Sequence, residues 1–198
     1  MAGHDAKRAE LSRRREPPSP GRSDLGSKAT YDIAGHMNSM LADVLALYLK
    51  TKNFQWHLSG PHFRDYQRML AAQAVQLLGM IDPIAERIRK LGRTTLRSIG
   101  HIAQLQRVMD NDADYVAPQD MLTELKEDNQ ILGWRLRQVH LFVKEHYDVA
   151  TASLIQTWID ETEERTWFLF EAGYPPRPQQ DIRVTAFGGP TIGTMKCL

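Results

Sequence analysis

Two carboxylates with the spacing of metal ligands lie near the end of a long helical pattern. Asp82 and Glu86 are four residues apart in the segment IDPIAERIRK, so at about 100° per residue their side chains share one helix face. Carboxylate oxygens are hard ligands for metal ions. The same residues are also typical of a solvated, charged helix end. From the spacing alone, Asp82 and Glu86 are either candidate metal ligands or part of a charged helix end, and both interpretations stay open.

A second group of positions precedes this pair on the same helical face. The segment KNFQWHLSGPHF, residues 52–63, ends one helical pattern and opens another through a Gly-Pro turn. In the helix that follows, Gln67 and Ala71 are four residues apart, which is the same spacing as that of Asp82 and Glu86. The eleven residues from 71 to 82 return the chain to within roughly 20° of the same direction. One stripe of a single long helix therefore presents both pairs of positions.

The order of these residues resembles the Dps family of mini-ferritins, which are DNA-protection proteins from starved bacteria. The resemblance rests on Trp56, the turn at 60–63, Asp82, Glu86 and Arg87. It implies a centre of five iron ligands between two subunits related by a twofold axis. Two histidines and an aspartate come from one subunit, and an Asp-x-x-x-Glu pair comes from the other. The resemblance also implies hollow twelve-subunit shells that oxidise iron, store it as mineral and coat DNA.

Three of the implied ligand positions hold other residues in this chain. The two histidine positions fall on Gln55 and Gln67, and the first aspartate position falls on Ala71. A glutamine amide is uncharged and replaces imidazole poorly, and alanine has no donor atom. His57 points about 200° away from Gln55 around the helix, and His62 begins the next helix, so neither is expected to substitute. The sequence therefore predicts a weak or incomplete iron site. All three missing ligands belong to the set that one subunit contributes.

Four long amphipathic patterns provide the frame for these positions. Apolar residues recur at helical spacing in each pattern, Gly92 and Gly173 are stop signals, and Pro118 suits a first helical turn. The patterns predict long helices over residues 30–58, 62–91, 118–146 and 149–172, and a short helix from Ser98 to about 109. The predicted fold is all-α: a ferritin-like four-helix bundle with a short extra helix between the second and third long helices. The Dps resemblance implies this extra helix as well.

Both ends of the chain differ in composition from the bundle. Residues 1–29 are predicted to be a disordered basic arm, 30–173 the bundle and 174–198 a Pro/Gly-rich tail. A basic arm binds DNA phosphates without reading the base sequence. The candidate DNA-contacting residues are Lys7, Arg8, Arg13, Arg14, Arg15, Arg22 and Lys28. Acidic residues are interspersed among them, so an arm that does not bind DNA stays an open alternative.

The composition limits the class of protein. With 198 residues and a formal charge of +1, the chain is long enough for one domain and is not uniformly basic. Its one cysteine, Cys197, excludes an intrachain disulfide, which fits a reducing compartment. No apolar run reaches the length of a membrane span, and the first residues have no apolar signal core. We therefore predict a cytoplasmic protein, with association with the nucleoid if the arm binds DNA.

Three functions stay open from the sequence. The first is a Dps-like mini-ferritin for iron storage and DNA protection under starvation or oxidative stress, with a degraded ferroxidase centre. The second is a non-catalytic, architectural DNA-binding shell. The third is an accessory subunit that completes half-sites in a hetero-oligomer with an intact Dps relative. We predict the first, as a homo-oligomeric and dodecameric shell that binds Fe²⁺ and Fe³⁺ weakly. No catalytic residue is assigned, and residual ferroxidase activity stays an open question.

Overall fold

Five helices account for the secondary structure of residues 24–173, the part of the chain that this computed structural model describes. They are α1 (Ser27–His57), α2 (Phe63–Lys90), α3 (Ile99–Leu105), α4 (Pro118–Glu145) and α5 (Val149–Gly173). Helix α1 packs along α2, and α4 packs along α5. The two pairs join through contacts of α1 with α4 and of α2 with α5, and α3 lies against α1. The predicted four-helix bundle with a short extra helix is confirmed.

The core of the bundle is built from the apolar stripes of the four long helices. On α1 the buried side chains recur every three or four residues, and those of α2, α4 and α5 meet them from the other sides. Full burial of one such side chain stabilises a fold by about 1.5–3 kcal/mol. The largest apolar residues that are fully buried are Phe54, Ile33, Met37, Leu47, Leu70, Leu77, Met80, Ile84, Ile88, Leu122 and Leu125.

Local signals in the sequence define several of the helix ends. The side chain of Ser98 accepts a hydrogen bond from the backbone N–H of His101 at 3.2 Å, which caps α3. Pro118 begins α4, where its missing N–H costs nothing. Gly92 follows α2 with a φ of 76°, a left-handed conformation that glycine adopts without strain. The long helices end within three residues of their predicted bounds.

The predicted end of α3 near Met109 is wrong, because a tertiary contact stops the helix at Leu105. The backbone N–H of Arg107 donates to the carboxylate of Asp43 on α1 at 2.7 Å, so it is not available for a helical bond. Asp43 is fully buried and also accepts from the side chains of Arg107, at 2.6 Å, and Arg135, at 3.1 Å. This carboxylate therefore fixes the segment after α3 against both α1 and α4.

Several apolar residues of the long helices are exposed. Leu49 on α1, Ile131 on α4, and Trp167, Phe168 and Phe170 on α5 lie at the surface of the bundle. The apolar stripes are thus wider than the interior of one bundle requires. Large exposed apolar surface is typical of proteins that associate with other chains. Within residues 24–173, none of the helices combines the length and the apolar composition that a membrane span needs.

Candidate metal centre

Asp82 and Glu86 lie on the solvent-facing side of α2, one turn apart. The Glu86 carboxylate accepts a hydrogen bond from Lys90 at 3.1 Å, and both of these side chains are largely exposed. Asp82 is exposed and has no hydrogen-bond or ion-pair partner among residues 24–173. The exposed ion pair of Glu86 with Lys90 contributes only a few tenths of a kcal/mol to the stability of the fold. The two predicted ligands therefore form an accessible carboxylate pair that is not committed to the fold.

The other three positions of the predicted centre are half-buried. Gln55 lies near the end of α1, and Gln67 and Ala71 lie in the first half of α2. The amide oxygen of Gln55 accepts a hydrogen bond from the Lys52 ammonium at 2.5 Å. The same ammonium lies 5.6 Å from the centroid of the Trp56 ring, which is the geometry of a cation–π contact. A cationic group therefore occupies the surroundings of Gln55.

Each of the two nearby histidines has one close contact elsewhere. The Nδ1 atom of His57 lies 2.8 Å from the carbonyl oxygen of Asn53, so that nitrogen donates its proton to the backbone. The His62 ring lies against the ring of Tyr66, with centroids 5.6 Å apart. These contacts leave a ring nitrogen of each histidine without a hydrogen bond from the described residues, so the expectation that neither replaces the missing ligand at Gln55 stays a prediction.

A single copy of the chain does not bring the two halves of the predicted centre together. Ala71 and Asp82 are eleven residues apart on one helix, which is about 16 Å along its axis at 1.5 Å per residue. Two ligand atoms on one ion lie within about 5 Å of each other. No cluster of three or more His, Cys, Asp or Glu side chains able to hold a metal occurs among residues 24–173.

The interior of the bundle does not fit a metal centre either. Ferritin-like di-iron centres need carboxylates and histidines that point inward from four helices. Among the described residues the buried carboxylates are Asp43 and Asp148, and both are engaged by arginines. Arg87 donates to Asp148 at 2.6 Å, and Asp148 caps the start of α5 by accepting from the N–H of Thr151 at 3.0 Å. Arg87, part of the motif that carries the family resemblance, thus joins α2 to the turn before α5.

A buried arginine, which the sequence analysis did not single out, lies inside the bundle. Arg165 is fully buried and donates to Asn129 at 2.9 Å and to Thr162 at 2.7 Å. Burial lowers the pKa of Arg165 to about 10, so the guanidinium stays charged at neutral pH. Its Nη1 atom has no hydrogen-bond partner within residues 24–173. A fixed positive charge here opposes the binding of a cation in the interior.

A second buried cation, Lys50, forms ion pairs with two acidic residues that face it. Its ammonium donates to Glu124 at 2.8 Å and to Asp128 at 2.6 Å, and Asn111 donates to the other oxygen of Glu124 at 2.7 Å. Burial raises the pKa of Asp128, and the contact with Lys50 opposes that shift. This cluster joins α1 to α4 and leaves no open set of carboxylates for a metal.

The predicted DNA-contacting residues fall mostly outside the described part of the chain. Lys28 lies in the first turn of α1 and is exposed. The other six lie outside residues 24–173: Lys7, Arg8, Arg13, Arg14, Arg15 and Arg22. The predicted tail, residues 174–198, lies outside them as well. DNA binding therefore stays a prediction of the sequence.

The class of protein follows from the fold together with a match to a family model. Residues 34–172 match the model of the ferritin-like domain, which covers α2, α3 and α4 completely, α5 except for its last residue, and most of α1. A bundle of four long helices in two antiparallel pairs is the architecture of that class. The chain is therefore a ferritin-like protein.

Relatives with known names define the family within this class. The chain is 32% identical over 145 residues to a low temperature-induced protein from Nostoc sp. (strain PCC 7120), covering 72% of this chain and 81% of that one. It is 30% identical over 148 residues to the DNA protection during starvation protein from Agrobacterium fabrum, covering 75% and 91%. The structure of DpsC from Streptomyces coelicolor matches with a TM-score of 0.76 at 22% identity, covering 81% and 95%. The chain belongs to the Dps family.

Proposed function

We propose that this protein is a Dps-like subunit that forms homo-oligomeric shells, holds iron and protects DNA under starvation or oxidative stress. We further propose that its ferroxidase centre is incomplete in the homo-oligomer. Membership of the Dps family, with a relative named for DNA protection during starvation, supports the general role. The residues at the two ends of the exposed face of α2 support the specific proposal.

The exposed face of α2 has an apolar centre that suits a twofold contact. Val75 and Leu78 are both exposed there, and a Cβ added at the neighbouring Gly79 would meet no heavy atom within 4 Å. If two copies of α2 pack antiparallel about their midpoints, Val75 of one copy faces Leu78 of the other. A twofold axis makes the same contact twice, because residue i meets j and j meets i. The centre of α2 is therefore self-complementary.

The same antiparallel register aligns the two halves of the predicted metal centre. Residues at equal distances from the midpoint meet, so Ala71 faces Asp82 of the second copy and Gln67 faces Glu86. Each end of the contact then combines two carboxylates from one copy with Gln67 and Ala71 from the other, and the family resemblance adds Gln55 from α1. This correspondence is the observation on which the proposal rests.

Such a centre contains too few donors for efficient iron oxidation. Two carboxylates hold Fe(II) weakly, the glutamine amides add at most neutral oxygens, and water would complete the coordination. A resident metal ion would supply Lewis-acid and redox chemistry, and the side chains opposite Asp82 and Glu86 do not fit it. We therefore assign slow mineral storage to the shell and no rapid ferroxidase step to this site.

Stopped-flow oxidation of Fe(II) tests the incomplete centre. The wild-type protein is expected to oxidise Fe(II) at the rate of buffer, whereas Gln55→His, Gln67→His and Ala71→Asp together are expected to give saturable turnover. Adding Asp82→Asn to this triple variant is the matched control and should abolish the gain. Rapid turnover by the wild type would contradict the proposal. A flat rate in the triple variant would show that the ligand positions are assigned wrongly.

The basic arm needs a separate test, in which the bundle is left intact. Deleting residues 1–23 removes no described residue and is expected to abolish the mobility shift of duplex DNA at low salt. A full-length variant with Arg13, Arg14 and Arg15 replaced by serine keeps the length of the arm and removes only positive charge, and it should weaken the mobility shift. A shift unchanged by the deletion would exclude the arm as the DNA-binding segment. A full shift with buffer-level iron oxidation would favour the architectural shell.

A second candidate function is an accessory subunit, which the intact and exposed Asp82–Glu86 pair favours. In a mixed dimer with an intact Dps chain, this pair would meet a complete set of opposing ligands at one of two sites. Co-expression of the two chains, native mass spectrometry of the hybrids and stopped-flow oxidation test this candidate. Hybrids should oxidise iron, and substituting Asp82→Asn in this chain alone should lower that rate. Failure to form hybrids would eliminate it.

A further inference from the structure

We infer that, in the homo-oligomer, the Lys52 ammonium of each copy replaces the positive charge of a metal ion and forms an ion pair with Asp82 of the second copy. The former iron site would then act as an intersubunit ion pair that needs no metal. This inference rests on the antiparallel contact of α2 helices proposed above.

The first observation is that Lys52 is held in place by residues of the incomplete half. Its ammonium donates to Gln55 and lies over the Trp56 ring, so two neighbours on α1 orient it. An amide oxygen and a ring face satisfy an ammonium only partly, because the group has three donors. Lys52 is half-buried already in the single copy. The lysine is therefore oriented, and it has donors left for a carboxylate.

The second observation is that the opposing half carries negative charge that the fold does not neutralise. Asp82 has no partner within residues 24–173, and Glu86 has only the exposed contact with Lys90. When two helix faces meet and water leaves, an unpaired carboxylate becomes costly, because its desolvation is not compensated. A metal ion bound by nitrogen and oxygen donors would compensate it, but Gln55, Gln67 and Ala71 do not form such a donor set.

Charge complementarity then favours a second copy of this chain as the occupant of the face. One end of the contact presents an ammonium and the other presents carboxylates, so a twofold axis brings opposite charges together twice. Arg68 is the main alternative to Lys52 as the cationic partner of Asp82, because it is exposed on α2 next to Gln67. It makes no hydrogen bond to any of the positions of the predicted centre. Arg68 therefore provides a matched control for the same change of charge.

Reciprocal charge reversal tests the ion pair with the full chain. Lys52→Glu places like charges at both ends of a homodimer, and so does Asp82→Lys. Each variant is expected to raise the dissociation constant of the twofold contact by at least roughly tenfold. In a mixture of the two variants, each heterodimer regains both ion pairs, so sedimentation velocity should show assembly restored. Arg68→Glu should leave assembly close to that of the wild type.

Three outcomes would overturn the inference. They are wild-type assembly of Lys52→Glu, no recovery in the mixture, or an effect of Arg68→Glu equal to that of Lys52→Glu. Leu78→Asp separates this failure from failure of the α2 contact itself. If Leu78→Asp disrupts assembly and Lys52→Glu does not, only the ion pair is wrong. If Leu78→Asp has no effect, the proposed twofold contact is wrong.

Calorimetric titration with Zn²⁺, which has no redox chemistry, provides an independent readout. Lys52→Met removes the competing ammonium and is expected to tighten Zn²⁺ binding at Asp82 and Glu86 by roughly tenfold. Arg68→Met should not change it. Unchanged affinity in Lys52→Met would contradict the role of the lysine as the replacement for the metal.

Discussion

Truncation of Leu78 tests the proposed contact between α2 helices quantitatively. The side chain is 52% exposed in the single copy, so about half of it is available for burial against a second copy. Full burial of a leucine side chain stabilises by about 1.5–3 kcal/mol, which gives about 1 kcal/mol for the available half. A twofold axis buries it in both copies, so Leu78→Ala should cost about 2 kcal/mol per dimer. The dimer dissociation constant should therefore rise roughly 30-fold.

Sedimentation velocity over a range of protein concentrations measures this change directly. The matched control is Leu141→Ala on α4, because Leu141 is 56% exposed and chemically identical. It removes the same group from a helix that is not part of the proposed contact. Urea denaturation of both variants checks that the bundle itself is equally stable.

The outcome that would refute this reasoning is a dissociation constant for Leu78→Ala within about twofold of the wild type. Such a result would mean that Leu78 stays solvated in the assembly, because burial of half a leucine side chain in each copy should change the dissociation constant by more than twofold. An equal effect of Leu141→Ala would also contradict the assignment of the twofold contact to α2.

Two further predictions concern the charges buried in the bundle. Asp43→Ala should lower the free energy of unfolding by about 3–5 kcal/mol, because Arg107 and Arg135 lose their shared carboxylate; urea denaturation that gives a loss below 1 kcal/mol would contradict this. Asp128→Asn should gain stability relative to the wild type as the pH rises from 4 towards 7. Because the pKa of Asp128 is raised in the folded state, ionisation of this carboxyl disfavours folding. The wild type therefore loses free energy of unfolding as the pH rises through the folded-state pKa, whereas the Asn variant does not. Urea denaturation at several pH values, with Lys50 intact in both proteins, measures the difference; a difference independent of pH would exclude the shift.

The frame of the bundle could be predicted because local rules determine it. Ser98 supplies a cap, Pro118 suits a first turn, and apolar spacing marks each long helix. The end of α3 could not be predicted, since it depends on Asp43, which is 64 positions before Arg107 in the chain. No local propensity encodes a contact at that separation.

The candidate site was only partly predictable for a different reason. Helical spacing placed Asp82 and Glu86 on one face of α2, and the structure places both at the surface. Spacing alone does not distinguish a helix face that packs inside its own bundle from one that contacts a second copy. It also gave no sign that the Lys52 ammonium binds Gln55, or that Arg165 lies in the interior.

Anomalous scattering at the iron edge, from crystals of the pure protein soaked in Fe(II), distinguishes an incomplete iron centre from a functional one. We expect no iron held jointly by the two copies at Asp82 and Glu86, and density for the Lys52 ammonium next to Asp82 of the second copy. The triple variant with restored ligands, soaked identically, should show an iron peak there. An iron ion coordinated by protein groups of both copies in the wild type would show that the centre is complete and that Lys52 does not replace the metal.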